Sequence, residues 1–143
     1  MNNRYVNSAI LDTGPWVALI DRSEARHHVC VEWLKNHTGH LYTTEAVLTE
    51  VMYLLNFSLV AQMAALDFIL ESIVDLVPSD IAALEKSKQL MRKYHDLPMD
   101  YADATLLCLA EDTGIHTIVT FDNDFSIYRI QKTQPVTILP GQE

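Results

Sequence analysis

Four carboxylates in this chain stand beside apolar sequence. Asp12 ends the run Ala9-Ile10-Leu11, Glu50 interrupts the apolar residues 46–55, Asp103 lies near the start of the helix-like residues 101–110, and Asp122 ends Thr117-Ile118-Val119-Thr120-Phe121. A carboxylate taken out of water loses its hydration and needs a cation, a proton or several hydrogen-bond donors. Four such charges supplied by distant parts of one chain point to a divalent metal. Magnesium and manganese favour oxygen ligands of this kind.

Each acid has a structural alternative. On a helix over residues 44–56, Val47, Glu50, Leu54 and Phe57 share one stripe at steps of three and four, so Glu50 stands where a leucine is expected. A buried ion pair would account for it, but no base lies within one helical turn, which favours a ligand. Asp103 shares a stripe with Leu106, Leu107 and Ala110 and is expected to face inward. Asp100 and Asp103 also match an N-cap followed by an acid three residues later, which would satisfy helix amides without metal. Asp12 before Thr13-Gly14, and Asp122-Asn123-Asp124, read alone as turn formers. That alternative explains poorly why two strand ends and two inward helical positions all carry acids.

These residues need a scaffold, and the hydrophobic pattern supplies one. Residues 6–11, 40–43, 73–77, 117–121 and 136–139 read as strands; residues 16–20, 23–35, 44–56, 60–72, 80–94 and 101–113 read as helices. Ser23, Thr43 or Thr44, and Asp100 are the expected caps, Gly39 follows a helix, and Gly114 marks a helix end. Strands alternating with helices give an α/β layered fold with a largely parallel sheet. Ligands bind such sheets outside the carboxyl ends of the strands, where the strand order reverses. Asp12 and Asp122 occupy two carboxyl ends, and they face one crevice if their strands are neighbours.

Size and charge narrow the classes. The 143 residues fit one domain, 1–143. Cys30 and Cys108 fall inside helix-like stretches, as small buried hydrophobes in a reducing, cytoplasmic compartment would. The apolar residues 9–20 are broken by Asp12, Gly14 and Pro15, against a signal peptide or membrane span. With 19 acids against 10 bases, the formal charge of −9 argues against broad adhesion to nucleic acid or anionic lipid, so any such contact must be local; a basic protein partner is the other use of the acidity. Lys86, Lys88, Arg92 and Lys93 form the one dense basic run, a solvated helix face or a grip on a phosphate backbone near the acids. The six histidines lack zinc-site spacing, and neither a nucleophile elbow nor a phosphate-binding glycine loop occurs.

Taken together, the strand ending in Leu11-Asp12-Thr13, the helical Thr49-Glu50-Val51, Tyr101-Ala102-Asp103-Ala104 and Thr120-Phe121-Asp122-Asn123-Asp124-Phe125 resemble the PIN domain, and more closely the VapC type of ribonuclease toxin. The likeness spans nearly the whole chain. It implies a PIN-like three-layer α/β/α domain around a five-stranded, largely parallel sheet. It further implies a Mg²⁺- or Mn²⁺-dependent endoribonuclease with Asp12, Glu50, Asp103 and Asp122 at its site, Asp124 and Asp100 as further acids, and Thr13 or Thr120 orienting a carboxylate or water. The toxin of a type II toxin-antitoxin pair would act as a homodimer on RNA and be held by an antitoxin whose basic tail enters the acidic groove. Gly14 departs from the pattern, since relatives often carry a small hydroxyl residue there. The competing expectations are a non-cleaving PIN-like module that binds RNA or protein, and a metal-dependent phosphohydrolase of small phosphoesters.

Overall fold

Three residues, Ala9–Leu11, form the central strand β1, and all three are buried. A strand without alternation belongs inside a parallel sheet covered on both faces. The computed structural model describes residues 7–97, 99–127, 129–130, 134–135 and 137–139. Strands β2 (Leu41–Thr44), β3 (Asp75–Val77), β4 (Thr117–Val119) and β7 (Thr137–Leu139) join β1 in a five-stranded sheet of order β3-β2-β1-β4-β7, with every pairing parallel. The short strands β5 (Arg129–Ile130) and β6 (Gln134–Pro135) pair antiparallel beside it. That hairpin is absent from the sequence expectations, because two residues carry no readable period.

Among the described residues six α-helices connect and cover the strands: α1 (Thr13–Ile20), α2 (His27–Asn36), α3 (Glu45–Leu54), α4 (Leu59–Leu70), α5 (Ile81–Lys93) and α6 (Tyr101–Thr113). Ser58 caps α4 and Asp80 caps α5, each accepting from an amide three residues on, and Gly114 ends α6 at φ 77°. Helix α2 starts later than expected. The Ser23 amide and hydroxyl both donate to Asp21 Oδ1 (3.0 and 2.7 Å), and this local turn competes with helix there. Thr44 precedes α3 without capping it, since its hydroxyl is shared with that of Thr105 at 2.8 Å.

Helix α6 is buried from Ala102 to Ala110, packed on α5 and on β2, while α1 packs against α2, α3 and α4. The largest fully enclosed side chains, among them Trp16, Phe125, Ile10, Leu11, Leu106 and Ile118, join helices to sheet. The buried stripe of α3 is Val47, Val51 and Leu55, not the expected stripe through Leu54 and Phe57, which are 49% and 66% exposed. Glu50 therefore sits about 100° round the helix from Val51, at the edge of the packed face, half-buried and not in place of a core leucine. Cys30 and Cys108 are buried and unpaired, and burial pushes both thiols up to about 11. No helix among the described residues is long and apolar enough to cross a membrane.

Because Leu106 is wholly enclosed at the centre of α6, Leu106→Ala should cost roughly 3 kcal/mol, within the usual range for a buried leucine. Urea unfolding should show a lower midpoint at unchanged slope; a loss below about 1 kcal/mol would mean that α6 is not part of the core.

Candidate acidic site at the carboxyl edge of the sheet

The sheet order reverses at β1, which has β2 on one side and β4 on the other. Leu11 pairs with Val119, so the chain leaves both strands side by side. Asp12 and Thr120 are the next residues, and the Asp12 amide donates to Val119 O at 3.0 Å. Neighbouring parallel strands thus bring Asp12 and Asp122 to the same crevice, as their position at strand ends requires.

Two threonines tie the acids together. The Thr120 hydroxyl donates to Asp12 Oδ2 at 2.7 Å and accepts from the Asp122 amide at 2.9 Å. Asp12 Oδ1 accepts from the Thr13 amide at 2.7 Å, while the Thr13 hydroxyl reaches α3 and donates to Glu50 Oε1 at 2.8 Å. Asp12 is only 8% exposed, and Thr120 is fully enclosed. From α6 comes Asp103, 9% exposed, in a capping box: its amide donates to Asp100 Oδ1 (2.9 Å), and the Asp100 amide donates back to Asp103 Oδ2 at a longer 3.3 Å. Asp122 Oδ1 accepts from the Asp124 amide at 2.9 Å, so Asp124 enters the network through its backbone.

The carboxylates act on one another. Burial raises Asp12 to about 6 against the hydrogen bonds of Thr120 and Thr13, and the charges of Glu50 and Asp122 push the same way. Burial also raises Glu50, opposed by Thr13 and assisted by Asp100. Asp103 is raised furthest, to about 8, by burial and then by the Asp100 charge, with Asp12 and Asp122 adding to it against the Asp100 amide. A capping carboxylate satisfied by its helix would be pulled down instead. The capping box is present, yet it leaves Asp103 without enough stabilisation for its charge.

Among the described residues none of these five acids takes part in an ion pair; Lys86 pairs instead with Glu111 and Asp112 at 3.2 Å each. That commitment divides the basic run, because Lys86 is held against α6 while Lys88, Arg92 and Lys93 stay exposed. Nor do three histidine, cysteine or carboxylate side chains among the described residues form a ready-made cation-holding group. Each of the five acids has an oxygen turned to a donor of the protein itself. The donor set nevertheless fits a hard divalent ion: all oxygen, with Asp12 and Asp103 buried, Glu50 and Asp122 half-buried, and no countercharge among the described ion pairs. Sequence reasoning missed Arg26, whose guanidinium lies 4.2 Å above the centre of the Phe121 ring. The other side of the site packs closely too, since a Cβ added at Gly14 would come within 2.8 Å of that ring.

Residues 9–131 match the family model of the PIN domain. The chain belongs to the PIN-domain family, whose VapC-type members are toxin–antitoxin nucleases. Among solved structures it is similar to Mycobacterium tuberculosis VapC20, described as a sarcin-ricin loop cleaving toxin, with 25% identity, a TM-score of 0.77, and 83% of this chain and 93% of that one covered. It also resembles VapBC2 from Rickettsia felis, solved bound to a promoter DNA fragment, at 17% identity and a TM-score of 0.61 over 92% of this chain and 96% of the other. DNA-bound VapBC from Salmonella typhimurium shares the fold at 18% identity and a TM-score of 0.57, over 92% and 96%. No curated protein sequence matches the chain significantly.

Raised acids fix a pH dependence. Asp12 and Asp103 hold protons in the folded state, to about 6 and about 8, that the unfolded chain releases near 3.8. The folded state therefore binds more protons, and without divalent ions stability falls as pH rises from about 4 to about 8. Unfolding in EDTA should show this decline, and Asp103→Asn should flatten its upper part and leave the variant more stable than the parent at pH 8. An unchanged decline in the variant would mean that Asp103 does not carry the effect.

Proposed function

We propose that the chain is a divalent-cation-dependent endoribonuclease, the toxin of a toxin–antitoxin pair, with Asp12, Glu50, Asp103 and Asp122 as its cation-holding residues and Asp100 beside them. One observation carries this reading: five mutually repelling acids at the switch point of a PIN-family sheet, among which no described ion pair supplies a countercharge. RNA is supported as substrate by the likeness to a toxin described as cleaving the sarcin-ricin loop. Asp124 is ranked below Asp100, since it contributes its amide whereas Asp100 acts by charge on both Glu50 and Asp103.

A bound Mg²⁺ or Mn²⁺ would supply a water of lowered pKa and a countercharge for the phosphate. The chain's own residues do the rest. Thr120 fixes the orientation of Asp12 and, through the Asp122 amide, the start of the following turn. Thr13 holds Glu50 towards β1 from another helix. Orientation of this kind matters because acids fixed by hydrogen bonds lose little freedom on engaging a cation. Asp103, raised to about 8 by burial and the Asp100 charge, would have to release its proton to hold a cation, which would tie affinity to pH.

A protein partner is supported by exposed apolar residues of α3, α4 and the turn between them: Tyr53, Leu54, Phe57, Leu59, Val60 and Met63, with Val60 81% exposed. Clustered exposed apolar residues of this sort mark interaction surfaces. An antitoxin and a second copy of the chain are the two partners that the reading requires.

Purified protein should cleave a structured RNA with Mn²⁺ or Mg²⁺, and Asp12→Asn or Asp103→Asn should abolish cleavage while the chain stays folded by circular dichroism. Equal cleavage by these variants would assign the activity to a contaminant. Thr120→Val removes the hydroxyl that holds Asp12 and should weaken the apparent Mn²⁺ affinity by roughly 10–100-fold, the usual effect of losing a ligand's orienting partner. If the Mn²⁺ dependence of that variant matched the parent, Thr120 would have no orienting role.

A further inference from the structure

Arg26 lies outside the acid cluster but is built onto it. Its guanidinium carbon stands 4.2 Å from the centre of the Phe121 ring, and Phe121 is the residue between Thr120 and Asp122. The ring rests against Gly14, which follows the Asp12-Thr13 pair; any Cβ there would meet Phe121 Cδ2 at 2.8 Å. On the other side, the backbone of Arg26 is held by its neighbour. His27 Nδ1 is 2.6 Å from Ala18 O, and since a carbonyl only accepts, Nδ1 carries the hydrogen and ties the start of α2 to α1. Arg26 precedes α2 without capping it through its side chain, and among the described residues it forms no ion pair.

An arginine on an aromatic face keeps its N–H edges free. Stacking occupies the guanidinium plane, while the donors point outward along the rim and match the two oxygens of a phosphate. The side chain is exposed, so the desolvation that would oppose ligand binding is small. The neighbouring acids would repel an anionic strand on their own and would admit one with divalent ions bound, so a phosphate at Arg26 fits a strand that also enters the acid cluster.

We propose that Arg26, shelved on Phe121 and Gly14, holds a backbone phosphate of the RNA strand beside the acid cluster and so sets the path of the substrate across the site. The proposal rests on the ribonuclease reading for the identity of the strand, but its own test does not require cleavage. Arg26 is a positioning residue. It grips a phosphate other than the one attacked and takes no part in the bond-breaking step.

The experiment measures binding of a fluorescein-labelled single-stranded RNA, at fixed Mg²⁺, to the full chain carrying Asp103→Asn, with and without Arg26→Ala, over a series of KCl concentrations by fluorescence anisotropy. Loss of one phosphate contact should weaken binding roughly tenfold and reduce the slope of log affinity against log salt by about 0.7. Arg26→Lys should restore most of the salt slope, and Phe121→Leu should give an intermediate loss while Arg26 remains. In the cleaving parent, Arg26→Ala should raise KM with kcat nearly unchanged. A merely structural role would lower thermal stability without moving the salt slope. Equal affinity and equal slope with and without Arg26, or no RNA binding at all, would overturn the proposal. Arg26-dependent binding by a chain that never cleaves would sustain it while removing the nuclease reading.

Discussion

The hydrogen bond from Thr120 to Asp12 is the contact on which the rest of the site depends. It joins the ends of two adjacent parallel strands at the place where the strand order reverses, and it does so inside the protein, with Thr120 fully enclosed. Without it, Asp12 would be a buried carboxylate with a single amide donor. With it, the charge is partly supported, and the same hydroxyl accepts the amide that sets the turn carrying Asp122. The fold thus fixes the acids with neutral donors and leaves their charge to be balanced from outside.

That choice sets a conflict between stability and function. Burial and mutual repulsion hold Asp12 and Asp103 well above the ordinary carboxylate range, so the cluster opposes folding near neutral pH. A basic residue at Glu50 or Asp103 distance would remove the strain and also occupy the place of a cation. Helix α6 shows how the cost is contained: nine consecutive buried residues anchor it, and its first turn is closed by the Asp100–Asp103 capping box. Strong packing behind the site allows unfavourable charge in front of it.

Much of this was legible in the sequence because the relevant signals are local. Asp12 and Asp122 follow apolar runs, Asp100 and Asp103 carry capping spacing, and the alternation of strand and helix defines a parallel sheet. The adjacency of β1 and β4 was only a condition of the sequence reading, and the sheet order supplies it. Other features depend on tertiary packing and were not readable. Glu50 was expected on the core stripe, yet that stripe runs through Val51 and Leu55, and the residue is held by a hydroxyl from another helix. Lys86 read as part of one basic face, whereas α6 supplies Glu111 and Asp112 to bind it. Arg26 carried no signal, because a cation–aromatic contact across 95 residues leaves no period.

The central claim is that the acid cluster is poised, partly protonated, for a divalent cation. Calorimetric titration of the parent chain with Mn²⁺ at pH 7, repeated in two buffers of different ionisation enthalpy, counts the protons released on binding. Asp103, raised to about 8, should still hold its proton at that pH while Asp12, at about 6, has mostly lost its own. Binding accompanied by release of about one proton, which disappears in Asp103→Asn, is the expected result. Absence of Mn²⁺ binding, or binding with no proton released, would contradict it.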